Sequence, residues 1–335
     1  MGFSDEFNQA DGQRILVTGA TGFVGSRLIA SKEAQSHFIK FRAATRGPLD
    51  MSSPNVEEVR IPDISINTDW SMALSNVDVI IHLAARVHVM HDKVDDPLQA
   101  YREANVTSTL HLARQAAKAG VKRFVFLSSI KVNGERTKPG QPFIEGALPY
   151  PADPYGISKL EAEEGIQAIC KQTGMEFVFI RPPLIYGPGV KANYLKLMQL
   201  VRKRLPLPLG DISNHRSMLA LDNLVDFILL AARHPKAANQ LFLLSDEESL
   251  STTQLIHQIA LSMGFASARL ISLPVQVLKM IGQCLGQSAA IERLTDSLEI
   301  NSQKARDLLN WSPPLSAQEG IQLTVDDFLS HQKVM

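Results

Sequence analysis

Near its N-terminus the chain reads Arg14-Ile-Leu-Val-Thr18, then Gly19-Ala-Thr-Gly22-Phe-Val-Gly25, then a helix-compatible run from Ser26 to Lys32. A β-rich run, three glycines at intervals of three and a helix, in that order, meet the needs of a phosphate site. Gly19 permits a tight turn, Gly22 lets backbone approach a pyrophosphate, and Gly25 lets helix and strand pack closely. The helix N-terminus supplies free N–H groups and a positive dipole. Glycines also mark turns that bind nothing, so the weight rests on the order strand, loop, helix.

The rest of the first half alternates β-rich runs, at residues 39–45, 56–62, 77–83, 123–128 and 176–180, with helix-compatible segments. That alternation is the signature of a doubly wound parallel sheet. Runs 77–83 and 123–128 are largely apolar rather than alternating, as expected of central strands covered by helices on both faces. Beyond Tyr186 the pattern becomes irregular, with more proline and longer polar connections. The expected fold is α/β: a Rossmann-type domain over residues 13–186, and a smaller, mainly substrate-binding α/β domain over 187–330 with room for the chain to return to the first.

With 335 residues, 45% of them hydrophobic, the chain can fill a substantial core. Lys+Arg and Asp+Glu both total 34, so no global charge draws it to nucleic acid or to an anionic membrane. Cys170 and Cys284 lack metal-ligand spacing and cannot form a disulfide framework, which suits a reducing compartment. Residues 1–12 are polar and acidic, unlike an export signal. No apolar run reaches the ~20 residues of a membrane span. Residues 270–285, broken by Ser, Pro, Gln, Lys and Gly, read as an amphipathic or buried helix. A cytoplasmic location follows as the expectation. His88 and His91 share a loop near the expected cofactor face, but no third ligand stands at metal spacing, so no metal is expected.

Tyr155-Gly-Ile-Ser-Lys159 opens a helical stretch, and a spacing of four puts phenol and ammonium on one face. A free phenol, with a pKa near ~10, is a poor base at neutral pH; an adjacent ammonium and an oxidised nicotinamide would favour the phenolate. At the end of the second strand an NAD site usually offers Asp or Glu to the ribose hydroxyls, whereas a 2′-phosphate needs a cation. Phe41-Arg-Ala-Ala-Thr-Arg46-Gly47 holds no carboxylate, and Arg46 stands where its fork would grip a 2′-phosphate. NADP is therefore favoured over NAD.

These segments resemble the extended short-chain dehydrogenase/reductase family, of the NAD-dependent epimerase/dehydratase type, over nearly the whole chain. The G-x-x-G-x-x-G spacing is that family's, rather than the G-x-G-x-x-G of many dehydrogenases. The resemblance implies a cofactor site made of Gly19, Thr21, Gly22, Phe23, Val24 and Gly25, with Arg46, with Asp63 and Ile64 flanking the adenine, and with Leu83, Ala84 and Ala85 beneath the cofactor. Asn105, Tyr155, Lys159 and Pro182 complete it. The family also places a Ser or Thr at the end of the preceding central strand to hydrogen-bond the reacting sugar oxygen. In Phe126-Leu-Ser128-Ser129-Ile-Lys-Val132-Asn-Gly134, aligning Val132 and Gly134 makes Ser129 that residue. The implied catalytic set is thus Ser129, Tyr155 and Lys159, with Asn105 bracing the active-site helix.

In the C-terminal half, Ile180-Arg-Pro182-Pro-Leu184-Ile-Tyr186-Gly resembles the strand and loop leading to substrate, although Leu184 stands where the family usually has an Asn that contacts the nucleotide-sugar. Asn193 resembles a diphosphate contact, and Arg216 the arginine that clamps substrate phosphates. Leu209, in Pro206-Leu-Pro-Leu-Gly210, belongs to the segment whose backbone frames uracil. With Ser129 and Tyr155 these form the expected substrate set. Trp311 is read as packed against a closing helix.

The family's sugar 4,6-dehydratases carry an acidic pair directly after the catalytic Ser/Thr. Ile130 and Lys131 stand there, so hydride transfer at one carbon is the simpler expectation. Arg46, and a C-terminal half resembling reductases that make N-acetylquinovosamine-type sugars, favour reduction of a UDP-4-keto-6-deoxy-N-acetylhexosamine in bacterial surface-polysaccharide synthesis. The alternatives are 4-epimerisation of UDP-glucose or UDP-N-acetylglucosamine, for which Leu184 leaves room for a polyprenyl-diphosphate carrier, and a non-catalytic NADP-binding regulator, opposed by the intact Ser129, Tyr155 and Lys159. A homodimer through helices at residues 105–119 and 155–172 is what the resemblance implies.

Overall fold

The apolar run ahead of the glycine loop is strand β1 (Gln13–Thr18), whose last four residues are buried. The computed structural model describes residues 12–32, 39–49, 54–87 and 95–332. After β1 come α1 (Phe23–Ile29), β2 (Ile39–Thr45), β3 (Val56–Arg60), α2 (Ser71–Leu74), β4 (Val79–His82), α3 (Pro97–Tyr101), α4 (Ser108–Lys118), β5 (Arg123–Leu127), α5 (Pro154–Thr173) and β6 (Glu176–Arg181). They are followed by β7 (Leu184–Tyr186), α6 (Ala192–Arg202), β8 (Met218–Ala220), α7 (Leu221–Arg233), β9 (Gln240–Leu243), α8 (Thr252–Ser262), α9 (Val275–Cys284), α10 (Ser288–Thr295), α11 (Gln303–Leu309) and α12 (Ala317–Gln332).

One compact unit takes the described residues up to Val132 with Pro149–Arg181 and Ile228–Phe242; the other takes Asn133–Leu148, Pro182–Phe227 and the described residues from Leu243 onward. The sheet of the first unit has the order β3-β2-β1-β4-β5-β6-β9 and is parallel from β3 through β6. Strand order reverses between β1 and β4, the switch point at which open α/β sheets bind ligands. There Thr18 pairs with both Ala44 and His82, so β1, β2 and β4 end side by side. All four residues of β4 and four of five in β5 are buried, as their apolar sequences require. Leu16, Trp70, Ile80, Phe124, Phe126 and Ile166 lie in one core cluster, each burial contributing about 1.5–3 kcal/mol.

The expectations need three corrections. The first helix begins at Phe23 rather than Ser26, because extended Gly22 serves as its N-cap, and it ends at Ile29. A seventh strand, β9, covers the outer edge of β6, which would otherwise offer unpaired backbone groups. Residues 133–148 belong to the second unit, ahead of the expected boundary at residue 186, whereas 228–242 make the return to the first unit for which the sequence left room. Arg123 fastens the returning segment by donating to the carbonyls of Ala231 (2.8 Å) and His234 (2.9 Å).

In the second unit β7 and β8 pair in parallel, and Tyr186, Met198, Leu207, Ile256, Ile321 and Phe328 share a core cluster. Trp311 is buried edge-on against Phe227, and its indole donates to Asp226 (2.7 Å). Among the described residues no helix is long and apolar enough to cross a membrane.

Candidate active site

The glycine loop is built by close backbone approach. Gly19 has φ +70°, and a Cβ there would lie 2.8 Å from the Ala84 nitrogen; a Cβ on Gly25 would lie 2.1 Å from the Gly19 carbonyl oxygen. Side chains are excluded at both positions. Gly22 caps α1 without a side-chain acceptor, so the first N–H groups of that helix are not satisfied by a cap. A cradle that a Cβ would fill, ending in uncapped N–H donors, fits the pyrophosphate of a dinucleotide. Thr21 and Gly22 are exposed and Phe23 partly so, whereas Val24 and Gly25 are buried.

Leu83, Ala84 and Ala85 follow β4 as a half-buried segment, tied to β1 by Leu83 N–H on Thr18 O (3.2 Å) and Ala84 N–H on Thr18 Oγ1 (3.4 Å). Thr18 Oγ1 also meets His82 Nδ1 at 2.7 Å, and His82 Nε2 meets Thr109 Oγ1 at 2.9 Å. Burial, then the nearby charge of Lys159, pushes this imidazole down to about 3, so it stays neutral. Arg46 is exposed just past β2. The neighbouring carboxylate, Glu58 of β3, is engaged by Leu49 N–H (3.1 Å) and Arg60 (2.8 Å). Asp63 accepts from Thr68 (2.8 Å) and Ser65 (3.1 Å) in an exposed turn, and Ile64 packs against the core.

Asp153 caps α5 by accepting from Gly156 N–H (2.7 Å), and Pro154 takes the first helical position. One turn apart, Tyr155 and Lys159 then share a face. The Lys159 ammonium donates to Leu127 O (2.8 Å), lies 4.4 Å from the centre of the Phe126 ring and 5.9 Å from that of Tyr155. Burial pushes Lys159 down to about 7, opposed by the carboxylate of Glu163 one turn further on. Glu163 in turn forms a buried ion pair with Arg181 at the end of β6 (2.9 Å). Burial, then Asp153 and Tyr101, push the Tyr155 phenol above its ordinary value, and the nearby Ser129 hydroxyl opposes them. Tyr155 therefore holds its proton until a cationic group or a substrate shifts that balance.

Ser129 is partly exposed and accepts from Lys131 N–H (3.3 Å), whereas the Ser128 hydroxyl is buried with no hydrogen-bond partner among the described residues. Of the two serines, Ser129 faces the phenol. Asn105 sits in a π-helical turn, Arg102–Thr107, that leads into α4. Its side chain bonds Arg86 N–H (2.7 Å), Arg86 O (3.0 Å) and Ser158 Oγ (3.1 Å), and Ser158 donates to Tyr155 O (2.8 Å). It thereby ties the segment after β4 to the helix of Tyr155.

In the second unit Pro182 is buried directly after β6, Leu184 is exposed, and Asn193 is exposed in the first turn of α6. Leu209 is buried, and its carbonyl accepts from Thr253 (2.7 Å). Arg216 donates to Asp296 O (3.0 Å), and burial pushes its guanidinium below the ordinary value. His88 and His91 lie outside the described residues. The sequence missed the Thr18–His82–Thr109 chain, the Glu163–Arg181 pair and an ion pair between Lys131 and Asp153. Only Glu163 left a signal, since it continues the spacing of four from Tyr155 through Lys159.

A profile of the NAD dependent epimerase/dehydratase family matches residues 15–243. The chain is 44% identical over 316 residues to a UDP-glucose 4-epimerase of Vibrio cholerae, spanning 94% of this chain and 95% of that protein. Among solved structures, UDP-glucuronic acid 4-epimerase from Bacillus cereus in complex with NAD matches with a TM-score of 0.75 at 22% identity, covering 95% of this chain and 99% of that one. UDP-glucose 4-epimerase from Thermotoga maritima with UDP-glucose gives 0.74 at 22% identity, covering 96% and 100%.

Proposed function

Because the chain belongs to the NAD dependent epimerase/dehydratase family of extended short-chain dehydrogenase/reductase enzymes, we infer that it interconverts C4 epimers of a UDP-linked hexose. The observation that carries the reading is the Tyr155 phenol set beside buried Lys159, with the Ser129 hydroxyl near it. Tyr155 Oη takes the proton of the 4-hydroxyl, Ser129 Oγ holds the same sugar oxygen, and the Lys159 charge favours the phenolate. A dinucleotide held at the Gly19, Gly22 and Gly25 loop would supply reversible hydride transfer at C4. Tyr155 gives the proton back once the 4-keto sugar has presented its other face. Dehydration would need an acidic pair directly after Ser129, and Ile130 and Lys131 stand there instead. Likeness to a UDP-glucose 4-epimerase at 44% identity moves the balance from the reduction expected from sequence to epimerisation.

A second reading, 4-ketoreduction with exchangeable NADPH, is favoured by Arg46, which is exposed past β2 while the nearby Glu58 carboxylate is already engaged. The exposed Leu184 suits an apolar carrier such as polyprenyl diphosphate as well as UDP, so the assay includes both. Nucleotide released from the purified protein is identified, and UDP-galactose and UDP-N-acetylgalactosamine are offered, alongside a polyprenyl-diphosphate sugar. Resident NAD+ with inversion at C4 supports epimerisation. Nucleotide-free protein that oxidises NADPH with a UDP-4-keto-6-deoxy sugar, and inverts nothing, overturns it for reduction. A homodimer through α4 and α5 belongs to the same reading, and light scattering at assay concentration tests it.

A further inference from the structure

Lys131 and Asp153 form an ion pair beside Tyr155 that the proposed reaction leaves without a task. Lys131 follows Ser129 by two residues, and Asp153 precedes Tyr155 by two. The side chains are 33% and 19% exposed, so water screens the pair only in part. Further contacts join the same two segments. Lys131 N–H donates to Ser129 Oγ (3.3 Å), Asp153 Oδ1 closes the first turn of α5 on Gly156 N–H (2.7 Å), and a Cβ on Gly156 would come within 2.8 Å of the Lys131 carbonyl. With its backbone Lys131 meets Ser129, and with its ammonium it meets the cap of the helix that carries Tyr155.

The charged and polar groups facing Tyr155 come from three elements. On α5 these are Asp153 at the cap and Lys159; on the segment after β5, Ser129, with Lys131 reached through its pair with Asp153; and on α3, Tyr101, edge-on at 6.1 Å with Arg86 stacked on its ring at 5.6 Å. Asp153 is the anion in this set. A carboxylate is a strong cap and suits the helix dipole, but so close to a phenol it opposes loss of the phenolic proton. We propose that Lys131 is a positioning residue that eases this conflict: its ammonium, paired with Asp153, offsets part of the carboxylate charge felt at Tyr155, while its backbone N–H holds Ser129 Oγ in place. The inference rests on the reading of Tyr155 as the group that moves the substrate proton.

Lys131→Met, Lys131→Arg, Asp153→Asn and the double variant Lys131→Met/Asp153→Asn are compared in the holoenzyme. One readout is the pH profile of kcat for UDP-galactose and UDP-glucose interconversion; the other is the spectrophotometric titration of Tyr155 with NAD+ bound, taken as the difference from Tyr155→Phe. Lys131→Met lowers kcat at neutral pH about threefold to tenfold with KM little changed, and moves the Tyr155 titration and the rising limb of the profile to higher pH. Lys131→Arg keeps both in place. Asp153→Asn retains a capping side chain and moves both to lower pH, and the double variant returns them to the wild-type position. A Lys131→Met enzyme that loses activity without a moved titration, or a double variant that is not restored, reduces the pair to a structural strut and overturns the proposal. Failure of the underlying reading looks different: UDP-hexoses are not turned over while the Tyr155 titration still responds to Lys131, or Tyr155→Phe remains active.

Discussion

Burying Lys159 under Phe126 strips water from an ammonium that donates to the Leu127 carbonyl. In the fold its pKa is about 7, against an ordinary 10.5, so the unfolded chain binds more protons between these values. The burden on stability is fully present below pH 7 and is relieved as the pH rises through 10.5. Lys159→Met is therefore expected to stabilise the protein at pH 6 by about 1–3 kcal/mol while abolishing turnover, with the gain fading toward pH 10. Urea unfolding at the two pH values checks the sign; a variant less stable at pH 6 would contradict it. Arg46 carries a separate expectation, for cofactor choice. Arg46→Ala should weaken NADP binding about tenfold and leave NAD binding unchanged, measured by calorimetry. Equal losses for both dinucleotides would remove Arg46 from the 2′-phosphate site.

At the level of elements, the loop between β1 and α1 tolerates no side chain at Gly25, because a Cβ there would press on the Gly19 carbonyl at 2.1 Å. Gly25→Ala should cost about 2–4 kcal/mol and weaken dinucleotide binding, whereas Gly146→Ala, with open space around it, should do neither. Thermal unfolding with and without dinucleotide decides between them. This loop was legible in sequence because its chemistry is local, a strand, three glycines and a helix in succession. Strands β1 to β6 were legible to within two residues, β4 and β5 because burial on both faces leaves largely apolar runs. β9 was not: Gln240–Leu243 is four residues long, and its partner lies far back in the chain. The π-helical turn holding Asn105 has no sequence period of its own. Lys131 and Asp153 lie 22 positions apart across a loop, and no helical or strand spacing predicts their meeting.

For the molecule as a whole, equal numbers of acidic and basic residues leave recognition to local sites, and the candidate residues stand at strand ends and helix starts. Its first unit is discontinuous, since β9 and the segment held by Arg123 come from residues 228–242. A fragment ended at residue 186 should consequently sediment as aggregate and fail to bind dinucleotide, and a soluble, dinucleotide-binding fragment would contradict this. The same feature sets a clock during synthesis. A ribosome adding about 5–20 residues per second leaves the outer edge of β6 uncovered for several seconds before Gln240 emerges. During that interval the nascent sheet presents backbone donors and acceptors to any other strand nearby, so yield in the cell should depend on chaperone supply and on translation speed between Arg181 and Gln240.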